Sequence, residues 1–493
     1  MDIFSAALSA LNLVLTIEIF FMLLIGICYG IFIGLMPGLG GIVAIALLLP
    51  FTIGFDITAT LALLLGAHIA TIWGGSVTSI LFNVPGSAKS LALVFDGHPM
   101  TKKGEASRAL GASAMAALLG GIIGAIFLAL SIPIIRPVML SIGPSEYLVL
   151  ALWGLTIIAT FSEGSMLKGA IATCLGMMIA FIGMDPITGT PRFWFDSIYL
   201  MDGIYFPIAM IGMFAISEMI KLYIKKGSFI ERVAGQEDSS VLTGCMDAFK
   251  HWWLVIRSSL LGLWIGVLPG IGASVGGIAA YAQAVQTSKD PDKFGKGAVE
   301  GVIAPDATLG ANEGGGLLPT LAFGIPGGES MAILLVAFLN MGIVPGPQML
   351  TTDLDLVFVM VWIIVFANLF TTLLGLIISP KLAKLPGINP NIMIPMVLSV
   401  CIFGAYATRG YFLDVAVAFL FGILGYYMDK FNFSRANFVI GMVLADMIER
   451  NLHISIGLDG SLFIFNKPVS IAMLCLLVIT TFLSLNRKKK NTP

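Results

Sequence analysis

The chain reads as an all-α polytopic membrane protein built from two inverted structural repeats, and three observations predict it. Of 493 residues, 58% are hydrophobic and only 11% charged, with a mean hydropathy of +0.98, so the bilayer is the chain's principal solvent. Long apolar runs recur at Leu11 to Leu35, Ala109 to Ile135, Tyr147 to Phe161, Met166 to Met184, Ile204 to Ile220, Leu356 to Ser379 and Ser470 to Leu485. Each is close to the ~20 residues that a helix needs to cross the hydrocarbon. Finally, helix-breaking Pro-Gly elements appear twice, in the same order, about half a chain apart.

Only helices satisfy their own backbone in lipid at this composition, which predicts about eleven to twelve spans once broken or re-entrant segments are counted. The first span lacks a preceding basic residue and a cleavage signal, so it is expected to be retained rather than removed as a signal peptide. A net charge of −1 gives no reason to expect nucleic acid. Five cysteines are scattered without C-x-x-C spacing, and the four histidines form no H-E-x-x-H pattern, so neither disulfides nor a resident metal is read.

The repeat rests on GLMPGLGG, Gly34 to Gly41, against GVLPGIGA, Gly266 to Ala273, and on LFNVPGSA, Leu81 to Ala88, against AFGIPGGE, Ala322 to Glu329. A third match sets Gly164 against Gly410 and Gly176 against Gly422. Residues 1–222 and 253–493 are therefore read as two membrane repeats, with 223–252 as a cytoplasmic linker. Positive charge, which marks cytoplasmic loops, is biased oppositely at matching positions. Lys89, Lys102, Lys103 and Arg108 follow the first LFNVPGSA, whereas Ser330 to Leu350 has no Lys or Arg. Upstream the bias reverses, because Phe51 to Asp56 has none while Gln286 to Gly297 carries Lys289, Lys293 and Lys296. Opposite bias predicts inversion, and the basic linker and tail (Arg487, Lys488, Lys489, Lys490) predict a cytoplasmic C-terminus.

Proline removes an amide donor and glycine permits left-handed backbone, so Pro37-Gly38, Pro85-Gly86, Pro269-Gly270 and Pro326-Gly327 are expected to break helices. Freed backbone groups at membrane depth must line a cavity or lie buried in protein. A half-helix N-terminus favours an anion and unwound carbonyls favour a small cation, so these breaks frame a candidate site. Ser76, Asn83, Ser87, Ser274, Asn312, Thr320, Gly328 and Ser330 flank it. The competing role of such small polar residues is close helix packing. A coupling Na⁺ is placed near Asn83 and Thr320, while Glu313 and Glu329 keep H⁺ open. Asp306, Glu18, His68 and Asp446 lie in or beside apolar sequence, where an interfacial position competes with function. Lys89 reads first as a cytoplasmic anchor and second as a contact for an anion.

These motifs, with GGSVTSILFNVPGSA, DGHPMTKKGEASRALG, LLPTLAFGIPGGESMA and GIVPGPQML, resemble the large membrane subunit of the tripartite tricarboxylate transporters. The resemblance covers Leu11 to Leu350 in motifs and the remainder in length and hydropathy. It implies a bacterial inner-membrane secondary transporter working with a small four-span membrane subunit and an extracytoplasmic solute-binding protein. It also implies import of organic carboxylates driven by Na⁺ or H⁺, with no cofactor. Carried over by motif are Pro37, Gly38, Gly40 and Gly41 with Pro269, Gly270 and Gly272, and Asn83, Pro85 and Gly86 with Pro326 and Gly327. The stretches HIATIW, His68 to Trp73, and ANEGGG, Ala311 to Gly316, depart from the family pattern. A channel using the same broken helices is the alternative. An enzyme is not expected, since no H-E-x-x-H motif and no recognisable motif of paired catalytic aspartates occurs.

Overall fold

The computed structural model describes residues 3–140, 142–161, 165–185, 188–225, 239–270, 272–382, 390–460, 463–465, 469–475 and 477–479. Gly164, residues 226–238 of the expected linker, and Arg487 to Lys490 lie outside them. The helices are α1 Ile3–Val14, α2 Ile17–Gly34, α3 Gly41–Leu48, α4 Ile57–Phe82, α5 Leu93–Lys102, α6 Ala106–Leu140, α7 Pro144–Phe161, α8 Met166–Ala180, α9 Ile198–Met201 and α10 Phe206–Met210. There follow α11 Ser217–Lys225, α12 Val241–Lys250, α13 Trp252–Val267, α14 Gly272–Thr287, α15 Glu300–Phe323, α16 Glu329–Asn340, α17 Leu354–Leu382, α18 Pro390–Arg409, α19 Phe412–Lys430 and α20 Arg435–Asp459. One two-residue hairpin pairs Gly183 with Arg192 antiparallel.

Among the described residues, seven helices are long and apolar enough to cross a membrane. Shorter apolar helices of 10–17 residues, α1, α7, α8, α13 and α16 among them, stand beside these, and the eleven to twelve spans expected include such broken segments. The run Leu11 to Leu35 is divided between α1, which stops at Val14, and the spanning helix α2, with Thr16 at the start of α2 and its hydroxyl turned back to the Leu13 carbonyl, 2.7 Å away. The run Ile204 to Ile220 falls in a single span, Phe206–Ile224, which carries a π-helical turn at Ile211–Ile216 between α10 and α11.

The two halves repeat the same local order. Helix α2 ends at Gly34, the chain turns through Pro37-Gly38, α3 follows, and α4 runs on to a second break at Asn83. In the second half α13, Pro269-Gly270, α14 and α15 take these places, with the second break at Gly324. The backbone agrees in detail: Gly38 and Gly270 have φ of 84° and 85°, while Asn83 and Gly324 end α4 and α15 in the left-handed region at 58° and 66°. Left-handed φ is what glycine, and among other residues asparagine, tolerates.

Glycine seams fix how these helices pack. Gly26, Gly30 and Gly34 of α2 lie on the backbone of Leu63, Ala67 and Thr71 of α4, and Gly262 and Gly266 of α13 lie on Thr308 and Asn312 of α15. Small residues at four-residue spacing let helix backbones touch, the principal way that helices associate in lipid. Contacts that advance together along both helices make α2 parallel to α4 and α13 parallel to α15. The intervening α3 and α14 must therefore carry the chain back.

Helices α4 and α15 are buried along almost their whole length and form the centre of the molecule. Two polar pairs join them: His68 to Glu313 at 2.8 Å and Ser76 to Asp306 at 2.7 Å. Because the partner number falls as the other rises, α4 and α15 run antiparallel. The segments after each Pro-Gly pair also meet across the halves. Asp96 of α5 accepts from the amides of Gly297 and Ala298 (2.7 and 2.9 Å) and from the Tyr281 hydroxyl at 2.9 Å.

A Cβ on Gly30 would lie 2.1 Å from the Ala67 carbonyl oxygen, and one on Gly262 would lie 2.2 Å from that of Thr308. Backbone cannot yield locally there, so Gly30→Ala and Gly262→Ala are each expected to destabilise the protein by about 1–3 kcal/mol. Gly328→Ala, which meets nothing within 4 Å, is expected to leave stability unchanged. Thermal unfolding of the purified variants in detergent measures both.

Candidate functional site

Three of the Pro-Gly breaks lead into helices α3, α14 and α16, whose N-termini gather in one place with that of α20. Gly40 and Gly41 start α3, Gly272 starts α14, Gly328 and Glu329 start α16, and Ser434 caps α20 by accepting from the Asn437 amide at 3.2 Å. These residues line a cavity of about 130 Å³ together with Ser87, Lys89, Gly270, Ser274, Asn312, Glu313, Gly327 and Ser330. Unpaired amides and aligned peptide dipoles at helix N-termini favour an anion. The Ser330 hydroxyl is buried on this cavity and has no hydrogen-bond partner among the described residues.

A larger cavity of about 530 Å³ adjoins the first and shares Ser87, Ala88, Ser274, Glu329 and Ser434 with it. Pro37, Gly38 and Pro85 line it from the first half. Its other wall is charged. Arg435, at the start of α20, donates to Glu218 and to the Ser217 hydroxyl, each at 2.8 Å, and to the Met213 carbonyl at 3.3 Å. Met213 belongs to the π-helical turn, whose wider hydrogen-bond spacing frees carbonyls for such contacts. Lys221 bridges Glu218 and Asp429, both at 2.7 Å. The Arg435 guanidinium also stands over the Phe214 ring, 5.5 Å from its centre.

The small cavity has its own buried charges. Glu313 uses one carboxylate oxygen for His68 Nε2 at 2.8 Å and the other for Lys89 Nζ at 3.2 Å. The Glu313 side chain is 3% exposed and that of His68 1%, whereas Lys89 keeps 21%. A charge so buried is tolerable only when paired. Lys89 therefore turns inward to an ion pair, in place of the headgroup-facing anchor that its sequence position suggested. The His68 ring fills the space that a side chain at Gly41 would occupy: a Cβ there would meet His68 Nδ1 at 2.1 Å and the Thr71 hydroxyl at 2.8 Å. That glycine is thus required by the histidine behind it.

Of the residues singled out in the sequence, Pro37, Gly38, Gly40, Gly41, Pro85, Ser87, Gly270, Gly272, Ser274, Asn312, Gly327, Gly328, Glu329 and Ser330 line the joined cavities. Ser76, Asn83, Gly86, Pro269, Thr320 and Pro326 do not. Ser76 is spent on Asp306, and Gly86 packs against Gly75 while its carbonyl accepts from the Gly38 amide at 3.0 Å. Thr320 donates to the Gly316 carbonyl at 2.7 Å and accepts from the Gly327 amide at 3.2 Å. Asn83 is an exposed helix cap, so it and Thr320 supply no shared cation cage among the described residues. Sequence reading missed Arg435, Glu218, Lys221 and Asp429; Arg435 stands at the head of the apolar stretch ANFVIGMVLA, where an ionisable residue is a signal in itself.

A helical membrane protein whose interrupted helices enclose a polar, charge-lined cavity is built as a membrane transport protein. The chain belongs to the tripartite tricarboxylate transporter TctA family, whose model matches residues 20–440. Membership makes it a membrane component of a tripartite transporter, a system that includes a small membrane subunit and a solute-binding protein. It is 30% identical to an uncharacterized 52.8 kDa protein in the TAR-I ttuC' 3' region of Agrobacterium vitis, over 96% of this chain and 92% of that protein. It is 31% identical to an uncharacterized protein in the TAR-II ttuC' 3' region of the same organism, over 45% of this chain and 93% of that protein. No solved structure matches the chain.

The contact between Gly41 and His68 makes a testable pair. Gly41→Ala is expected to destabilise the protein, and to cost less when His68 is already Ala, because the ring that clashes is gone. The two effects should depart from additivity by about 0.5–3 kcal/mol, as for residues in direct contact. A double-mutant cycle on detergent unfolding midpoints reads this; strict additivity would refute the contact.

Proposed function

We propose that the chain imports organic carboxylates across a bacterial inner membrane by cation symport, receiving substrate from a solute-binding protein and working beside a small four-span subunit. The observation that carries this reading is the pair of joined cavities, where several helix N-termini converge between two cationic side chains, Lys89 and Arg435. Helix N-termini attract negative charge, and two separate cations suit a substrate with more than one carboxylate. Both cations are already paired with acids, so an entering carboxylate exchanges partners and leaves the displaced acid to be neutralised.

Residues 1–222 and 253–493 act as inverted repeats in this scheme, with 223–252 on the cytoplasmic side, as is the C-terminus. Two observations support that arrangement. The matching helices α4 and α15 run antiparallel, and the basic segments Lys89 to Arg108 and Gln286 to Gly297 come together through Asp96. Alternating access would follow from moving the site-bearing hairpins against the remaining helices. The site residues are those of the cavities, Pro85 among them, with Pro326 shaping the break behind.

Uptake of labelled succinate, malate and citrate by proteoliposomes, with and without an imposed Na⁺ or pH gradient, tests this reading. Gradient-driven accumulation is expected for at least one of them, and flux that only dissipates its own gradient would indicate a channel instead. Pro85→Ala and Pro326→Ala are each expected to reduce uptake at least about tenfold, equivalent to ~1.4 kcal/mol. Unchanged uptake in both would remove the breaks from the site.

A further inference from the structure

Resting on the carboxylate-transport reading, the geometry points to Lys89 as an exchangeable anchor for one substrate carboxylate, with the Glu313 and His68 pair taking up one proton when Lys89 leaves it. Lys89 sits on the single turn Ala88–Ser90, directly after the Pro85-Gly86 break, and lines the small cavity. It is the most exposed member of its cluster, whereas the acid that holds it is enclosed. An incoming carboxylate reaches the ammonium from the cavity without displacing a helix.

The consequence for Glu313 is electrostatic. With Lys89 in place, one positive charge balances one carboxylate, and His68 adds a hydrogen bond. Once Lys89 turns to the substrate, Glu313 is a buried carboxylate that has lost its ammonium partner and keeps only the His68 contact. A buried carboxylate without a counter-charge favours its protonated form. The exchange balances as follows: the Lys89–Glu313 ion pair breaks, an ion pair between Lys89 and the substrate carboxylate forms, and one proton from water joins the Glu313–His68 pair. Because the two groups share a hydrogen bond, the proton belongs to the pair. Release of substrate runs the exchange backwards and expels the proton. Linkage requires the reciprocal effect, so that protonation of the pair tightens substrate binding.

The surroundings leave this assignment simple. Glu313 is faced by His68 from α4 and Lys89 from the turn, while Glu329 of α16 lines the same cavity and Asp306, lower on α15, is bonded to Ser76. Among the described residues, no titratable group of α5, α6, α13, α14 or α17 makes an ion pair or hydrogen bond with Glu313. A second observation marks His68 for proton traffic: its Nδ1 is buried, has no hydrogen-bond partner among the described residues, and lies directly behind Gly41 on the cavity wall.

The experiment titrates the full chain with succinate, malate and citrate near neutral pH, by calorimetry in buffers of different ionisation heat, which reports protons taken up per ligand bound. The wild type is expected to take up about one proton per carboxylate ligand. Glu313→Gln should bind within about tenfold of wild type and take up none, while Lys89→Ala should lose at least about tenfold in affinity and Lys89→Arg recover part of it. Binding by the wild type without proton uptake overturns the inference and leaves the transport reading standing, as does undiminished proton uptake in Glu313→Gln. If the wild type binds none of the three acids, the transport reading fails and this inference with it. The wild-type measurement decides the matter even where a variant does not fold.

Discussion

A peptide group exposed to hydrocarbon has no water to bond, and this constraint governs the whole molecule. Four Pro-Gly breaks open the helical ladder, and hydrogen bonds to protein groups repair three of them. The Gly38 amide bonds the Gly86 carbonyl, so the two breaks of the first half support each other. In the second half the Thr320 hydroxyl takes the Gly327 amide. Enclosure depends in turn on close helix approach, which the glycine seams between α2 and α4 and between α13 and α15 provide. Larger side chains in those seams would hold the helices apart and admit lipid to the breaks.

Enclosure sets the electrostatics. The charges lining the cavities are paired or hydrogen-bonded, because an isolated one would be too costly to bury. Glu313 is shared by His68 and Lys89, and Arg435 is held by Glu218 and by a carbonyl of the π-helical turn. Each cluster draws on different parts of the chain: the first joins the halves, and the second joins α11 to α20. Together with the helix N-termini they give the joined cavities polarity without a large net charge. Such a surface can take an anion by exchange of partners.

The sequence alone went far on class and little way on chemistry. Composition decided the membrane, since no soluble core would bury so many apolar side chains. The echo of GLMPGLGG in GVLPGIGA located the breaks, because proline and glycine act on their own backbone wherever they stand. The matched φ values of Gly38 and Gly270 follow from that local chemistry. Small polar residues were less readable: Ser87 and Ser274 line the cavity, whereas Ser76 and Thr320 serve the packing beneath it.

What the chain determined by itself was the solvent it lives in, the places where its helices break and the family it belongs to, all of which depend on composition or on residues acting locally. Only the tertiary structure decided which charges meet. His68, Lys89 and Glu313 are separated by more than two hundred positions between the first two and the last, and nothing in their local sequence names their partners. Their meeting depends on α4 and α15 lying antiparallel, and that crossing is fixed by packing across the whole fold.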